Sequence, residues 1–230
     1  MRMTVFGASG SVGSVLIPEA LRRGHEVVAV TRDASHITLP HPNLTVAIAE
    51  LDCVPALERA LAGAQAVIIS LGDAVCDTGT RAILAAMRNT GVQRVEALTG
   101  FGTSVISRRR LNPAMRGVVG AVRLLARSGF SAKERQDALV RASGLTYTIV
   151  QPPTLTFGPA TGAYRQGDSA VSVRPTPVSP NRAFLPAPLC ASGRCRPITV
   201  ESGSVAVADL GSDGDRHKGP CQADRRSALV

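Results

Sequence analysis

A doubly wound, parallel α/β sheet is the fold class that this sequence predicts, with an irregular Pro- and Arg-rich tail. Three observations predict it. Short apolar runs alternate with helix-period segments four times in succession, which parallel strands with crossover helices satisfy most economically. The first run enters a glycine turn of spacing G-x-x-G-x-x-G, Gly7-Ala8-Ser9-Gly10-Ser11-Val12-Gly13. The 230 residues, 44% of them hydrophobic, are enough for one α/β domain with a real core.

The first strand covers about Met3–Phe6 and the first helix about Val12–Arg23. Strand, tight glycine turn and helix in that order are what a dinucleotide pyrophosphate needs. Gly7 allows the turn, Gly10 lets backbone approach the phosphates, and Gly13 lets the helix pack closely. Free N–H groups and the positive end of the helix dipole then face the anion. The second strand, Val27–Val30, leads to Thr31-Arg32-Asp33, where an adenosine ribose lies in such folds. An acidic residue there accepts from a ribose 2′-hydroxyl, whereas a guanidinium pairs with a 2′-phosphate. Arg32 therefore selects NADP (as NADPH), with Asp33 beside it as the conflicting signal. The third strand, Leu44–Ala49, precedes Glu50-Leu51-Asp52-Cys53 and a helix through Leu57, Leu61 and Ala62. Asp52 fits two roles equally, acceptor for the adenine amino group or N-cap of that helix, and Cys53 adjoins it on the cofactor side.

Ala66–Ser70 is nearly all apolar, as a central parallel strand should be, and ends in Leu71-Gly72-Asp73. A helix over about Thr80–Thr90 stops at Gly91, a left-handed terminus. Strand five, Arg94–Leu98, closes with Thr99-Gly100-Phe101-Gly102. The stretch 102–131 carries a helix-like pattern (Leu111, Met115, Val118, Val119, Val122, Leu125) that could pack as a cover over an acceptor site. Gly117, Gly120 and Gly129 would loosen it. A helix over Ala132–Ala142 and a sixth strand, Thr146–Val150, complete the sheet.

The net charge of +9 is concentrated. Eight basic residues lie between Arg108 and Arg135, among them Lys133, against Glu134 alone. The segment has one aromatic, Phe130, so a base-stacking platform for nucleic acid is not expected. A solvated basic face, or attraction to a phosphorylated cofactor, is the better reading. No apolar run approaches the roughly 20 residues that span a bilayer, and no signal peptide is recognisable, so a cytoplasmic protein without a membrane partner is expected. The five cysteines are odd in number and irregularly spaced, which reads as reduced thiols.

Three segments together resemble the atypical short-chain dehydrogenase/reductase superfamily, in the NAD(P)H-binding group that includes biliverdin reductase B (flavin reductase) and NmrA-like proteins. They are the G-A-S-G-x-x-G turn, Thr80-Arg-Ala-Ile-Leu-Ala-Ala-Met-Arg-Asn-Thr-Gly-Val, and Ser143-Gly-Leu-Thr-Tyr-Thr-Ile-Val-Gln-Pro-Pro, with Gly158-Pro-Ala-Thr-Gly-Ala-Tyr-Arg165 after them. The resemblance covers residues 1–165 and implies a Rossmann-type dinucleotide-binding domain there. It implies that Gly7, Ser9, Gly10, Ser11 and Gly13, with Val12 among them, line the pyrophosphate, and that Arg32 meets the 2′-phosphate. Leu71, Gly72, Thr99 and Pro152-Pro153 would border the nicotinamide.

The wider superfamily's tyrosine–lysine pair, four residues apart, is absent: Tyr147 and Tyr164 are followed at that distance by Gln151 and Asp168. Lys133 lies near where some relatives hold a catalytic or positioning side chain, against the alternative of a first-turn surface residue. Thr99 and Ser104 could offer a hydrogen bond near an acceptor. Hydride transfer needs no protein acid when a flavin or quinone is the acceptor, because solvent protonates its heteroatoms. The expected function is therefore hydride transfer from NADPH to a small flavin- or quinone-like acceptor. An NmrA-like regulator that binds the dinucleotide without turnover, and an inactive pseudoenzyme, are the alternatives. The oligomeric state is open.

Residues 166–230 read differently. Seven of the fifteen prolines and three of the five cysteines fall there, with no helical period over 170–197. A shifted reading frame and a divergent or disordered tail both fit. A zinc set of Cys190, Cys195, His217 and Cys221 can be drawn, but its spacing is too loose to expect a metal.

Overall fold

The structure, a computed structural model, describes residues 1–152 together with four three-residue strands, Leu155–Phe157, Arg165–Gly167, Thr176–Val178 and Thr199–Glu201. Six strands form one parallel sheet: β1 (Arg2–Phe6), β2 (Glu26–Thr31), β3 (Leu44–Ile48), β4 (Ala66–Ile69), β5 (Arg94–Leu98) and β6 (Thr146–Val150). Their order is β3-β2-β1-β4-β5-β6, so the chain steps outward from β1 in one direction and returns to build on its other side. Between β1 and β4 the two halves diverge, which opens a crevice at the carboxyl ends of the strands.

Strand alternation fixes two cores. Phe6, Val30 and Ile69, in register across β2-β1-β4, point to one face and pack with Leu57, Leu61, Ile83 and Met87. Helices α2 (Val54–Leu61), α3 (Cys76–Thr90) and α6 (Arg127–Arg141) cover this side. Met3, Val5, Ala29 and Ile68 point to the opposite face, against Leu16, Ile17, Ala20 and Leu21 of α1 (Gly13–Arg22). Near-continuous burial of β1, β2 and β4 follows from coverage on both sides.

The expected strands and the Gly91 terminus (φ 75°) are all found. Three helical boundaries differ. The helix expected from Thr80 starts at Cys76, and Gly79 inside it is where the Leu51 and Leu71 side chains pack; a Cβ there would lie 2.8 Å from each. The helix expected from Ala132 starts at Arg127, its Gly129 making room for the Asp73 carboxylate, 2.6 Å from an ideal Cβ. The cover expected over 102–131 is two helices, α4 (Val105–Arg110) and α5 (Pro113–Leu125), before α6 begins. Asn112 caps α5 by accepting from the Met115 N–H at 2.8 Å, with Pro113 in the first turn. Of the apolar positions expected to face inward, Leu111, Met115 and Val119 do so, around Phe130. Val118, Val122 and Leu125 are exposed instead, because no other element among the described residues packs on that side of α5.

Of the four short strands, Leu155–Phe157 pairs in parallel with Thr176–Val178, and Arg165–Gly167 pairs antiparallel with Thr199–Glu201. Pro153, Tyr164, Asp168 and the set Cys190, Cys195, His217 and Cys221 lie outside the described residues. Among the described residues, no helix is long and apolar enough to cross a membrane.

Candidate functional site: the carboxyl edge of the sheet

The glycine turn leaves β1 toward β4. Gly7 adopts φ +81°, and a Cβ on it would lie 2.0 Å from the Ser70 carbonyl oxygen. Only glycine fits both constraints. A Cβ on Gly13 would lie 2.4 Å from the carbonyl oxygens of Gly7 and Ala8. The close approach it permits is thus of the helix to its own turn. Gly10 is different: a Cβ there would meet nothing nearer than the Gly7 carbonyl, at 3.2 Å. Ser9, Gly10 and Ser11 are exposed while Val12 and Gly13 are buried, so the outer half of the turn faces solvent over the crevice. The Gly10 N–H closes the turn onto Gly7 at 3.0 Å. The Ser11 and Val12 N–H groups have no acceptor among the described residues and precede α1, whose first turn carries no acidic residue. Such an arrangement can accept a phosphate anion.

At the end of β2, Arg32 is exposed and makes no ion pair among the described residues. Asp33, the conflicting signal in the sequence, is committed elsewhere. Its carboxylate accepts from the Ser35 N–H at 2.9 Å, capping the short turn Ala34–His36, and that bond holds its pKa below the usual carboxylate value. Arg32 is the basic group at the strand end, with no ion pair to Asp33. Asp52 and Cys53 are both exposed beyond β3. The N-cap of α2 is Cys53, which makes no side-chain capping bond, so the capping role considered for Asp52 is not found.

The strand ends β4, β5 and β6 meet around Lys133. α6 points Lys133, Gln136, Asp137 and Val140 inward, a stripe at i, i+3, i+4 and i+7. The Lys133 ammonium donates to the Leu71 carbonyl at 2.8 Å and to the Leu98 carbonyl and Gln136 Oε1 at 3.4 Å each. Its side chain is 14% exposed, and Asp73 Oδ1 stands 3.9 Å away. Burial lowers its pKa, with the charges of Cys76 and Asp73 opposing. The surface reading of Lys133 is therefore excluded: it clasps the ends of β4 and β5 from beneath.

Thr99 is buried just past β5, its N–H bonded to the Val150 carbonyl at 2.9 Å and its Oγ1 3.3 Å from Thr103 Oγ1. Pro152 is buried and accepts from the Phe101 N–H at 3.0 Å, which joins the loops after β5 and β6. Leu71 is buried and Gly72 exposed at the end of β4. The structure thus assembles Leu71, Gly72, Thr99, Lys133 and Pro152 along one edge, with the glycine turn adjoining through Ser70. Ser104 is buried in α4's approach.

Sequence reasoning missed a buried polar chain beneath this edge. Gln151 accepts from Ser107 Oγ at 2.6 Å, and its amide donates to Thr103 Oγ1 at 3.3 Å and to Asp137 Oδ1 at 3.1 Å. Arg141 pairs with Asp137 at 2.5 Å, and Gln136 donates to Thr80 Oγ1 at 3.1 Å. The one available signal was the stripe itself, Gln136 and Asp137 falling on the face of Lys133 and Val140. Tyr147 sits early in β6, below the Arg141 guanidinium at 5.9 Å, away from the carboxyl edge. Glu96, in the middle of β5, is buried with its Oε1 unbonded, and burial pushes its pKa up to about 8.

A six-stranded parallel sheet with a glycine turn at its switch point and an open carboxyl edge defines a Rossmann-type dinucleotide-binding protein. The NAD(P)H-binding family model matches residues 7–181, and the chain belongs to that family. An uncharacterised protein of Bacillus subtilis, YwnB, is 26% identical over 182 residues, 75% of this chain and 82% of its own length. Among solved structures, a short-chain dehydrogenase/reductase from Veillonella parvula is similar at TM-score 0.71 and 18% identity, covering 87% of this chain and 94% of its own. A short-chain dehydrogenase/reductase from that organism in complex with NADP gives TM-score 0.68 at 18% identity, with the same coverage. The anaerobilin reductase ChuY from Escherichia coli O157:H7 gives 0.64 at 20%, covering 78% of this chain and 85% of its own.

Proposed function

We propose that the protein is an NADPH-dependent reductase that passes hydride to a small flavin- or quinone-like acceptor. The observation that carries this reading is the Lys133 clasp. A buried ammonium, its three protons directed at the Leu71 and Leu98 carbonyls and Gln136, stands at the strand ends with no tyrosine beside it among the described residues. With its protons so directed, Lys133 serves as a positioning group and a source of positive potential rather than as a proton donor. Such a site suits an acceptor that gains negative charge as it is reduced and takes its proton from water.

NADPH, when bound, supplies the hydride. The chain's residues do the rest. The Ser11 and Val12 N–H groups and the bare Gly10 backbone hold the pyrophosphate. Arg32, free of Asp33, pairs with the 2′-phosphate, and Asp52 and Cys53 border the adenine. Leu71, Gly72, Thr99 and Pro152 seat the nicotinamide against the carboxyl edge. The similarity to proteins described as an NADP complex and an anaerobilin reductase supports this reading.

The test is NADPH consumption by the full chain with riboflavin, FMN and menadione in turn, beside Lys133→Met. Turnover with at least one acceptor is expected, with kcat about tenfold lower in the variant and NADPH affinity within about threefold. NADPH binding without turnover on any acceptor would instead favour an NmrA-like sensor.

A further inference from the structure

The α4–α6 segment carries a concave surface that the scheme above does not use. Two clefts, about 530 and 340 Å³, adjoin one another and share Gly120 and Arg123. Their charged lining is Arg108, Arg109, Arg116, Arg123 and Arg127 against Glu134 alone. Glu134 is already taken, by Arg108 at 2.6 Å and Arg123 at 3.5 Å. Arg116 donates to the Arg109 carbonyl, which leaves its charge unneutralised. Arg109 and Arg127 are exposed and have no carboxylate partner among the described residues. The rest of the lining is apolar: Val119 is buried and floors it, Val105 and Leu124 are exposed, and nothing lies within 4 Å of where a Gly120 Cβ would be.

Five guanidinium groups crowded around one occupied carboxylate repel one another unless an anion joins them. Guanidinium is the group best shaped to grip phosphate or carboxylate through paired bonds, and it stacks on aromatic planes. An apolar floor under such a rim fits a flat apolar body with acidic substituents. The clefts border two elements that also build the carboxyl edge, the loop after β5 and helix α6. Arg108 donates to the Gly102 and Thr103 carbonyls at 2.8 and 3.1 Å, in the loop that follows β5. Arg127, Ser131 and Glu134 form the wall along α6, one residue from Lys133.

We propose that these paired clefts bind the acidic groups of the hydride acceptor, so that the acceptor is an aromatic molecule bearing phosphate or carboxylate and not a neutral quinone. This rests on the reductase reading. In the reaction the acceptor takes the hydride from NADPH and one proton from solvent, leaving NADP⁺, while its acidic group stays on the arginines.

FMN and riboflavin share one reacting ring and differ by a phosphate, which makes them the direct test. Each is titrated by fluorescence anisotropy against NADP⁺-saturated full-length protein at low salt, beside the double variant Arg109→Gln/Arg127→Gln. The pair 1-pyrenebutyrate and its methyl ester makes the same comparison for a carboxylate. At least one acidic probe should bind about tenfold more tightly than its neutral partner, one charge-assisted contact's worth. The double variant should reduce that preference to about threefold or less, with affinity for the neutral probe and the unfolding midpoint unchanged. Equal affinities within both pairs, or a preference that survives the double variant, overturns the inference. Acid-selective binding without NADPH consumption would keep the cleft and sink the reductase reading. Equal reduction of both flavins, with equal affinities in both probe pairs, would do the reverse.

Discussion

Glycines 7, 10 and 13 share a motif but answer to different constraints, and substitutions separate them. Gly7→Ala must accept a left-handed φ and a carbonyl oxygen at 2.0 Å, and Gly13→Ala two carbonyls at 2.4 Å. Each should cost about 2–4 kcal/mol in urea unfolding, through strain or a shifted turn. Gly10→Ala meets only one carbonyl, at 3.2 Å, so it should change stability by less than about 1 kcal/mol. It should nevertheless weaken NADPH binding about tenfold or more, because its methyl group occupies phosphate space. Wild-type affinity in Gly10→Ala would remove the pyrophosphate from this turn. Glu96 offers a separate prediction. Its folded pKa of about 8 lies above the ordinary value of 4.5, so the folded state holds a proton that the unfolded chain has released. Its contribution is fully present below about pH 4.5 and is lost as pH rises through 8, by up to about 5 kcal/mol. Glu96→Gln should flatten the stability profile across that window and raise the unfolding midpoint above pH 8. An unchanged profile would mean that Glu96 ionises normally.

At the scale of the element, α6 joins the sheet to the site. Its inward stripe of Lys133, Gln136, Asp137 and Val140 exists because the helix begins at Arg127, where Gly129 accepts Asp73 and Phe130 enters the cluster of Leu111 and Val119. Gln151, just past β6, ties this helix to α4 and the loop before it through three buried polar partners. Gln151→Leu would leave Ser107, Thr103 and Asp137 short of partners and should cost about 2–3 kcal/mol in urea unfolding. Less than about 1 kcal/mol would show that solvent replaces the lost bonds. The strands were legible because each is a short apolar run bounded by its own turn. Lys133 could be placed on a helix from the sequence, but its direction could not, since that depends on a helix start fixed by tertiary packing around Gly129. The Ser107–Gln151–Asp137 chain was illegible for a different reason: its members lie 44 and 14 positions apart and meet only once β6 pairs with β5.

At the scale of the whole molecule, strand order explains why the site lies where it does. β1 stands between two halves that grow in opposite directions, and the turn after it cannot be covered by a crossover from either side. In the proposed binding mode the adenine half of the dinucleotide lies over β2 and β3, near Arg32 and Asp52. In that mode its nicotinamide half lies over β4, β5 and β6, above the Lys133 clasp. The glycine motif revealed this axis in the sequence. The choice between NADP and NAD was not legible there, since Arg32 and Asp33 point opposite ways; the proposed preference for NADP rests on Asp33 capping its own turn.

The measurement that bears most directly on this account is a fluorescence titration of the full chain with NADPH and NADH, beside Arg32→Ala. NADPH should bind tightly to the wild type and about tenfold or more weakly to the variant, with NADH weak in both, as one charge-assisted contact predicts. Equal affinity for the two nucleotides, or NADPH affinity untouched by Arg32→Ala, would contradict the account.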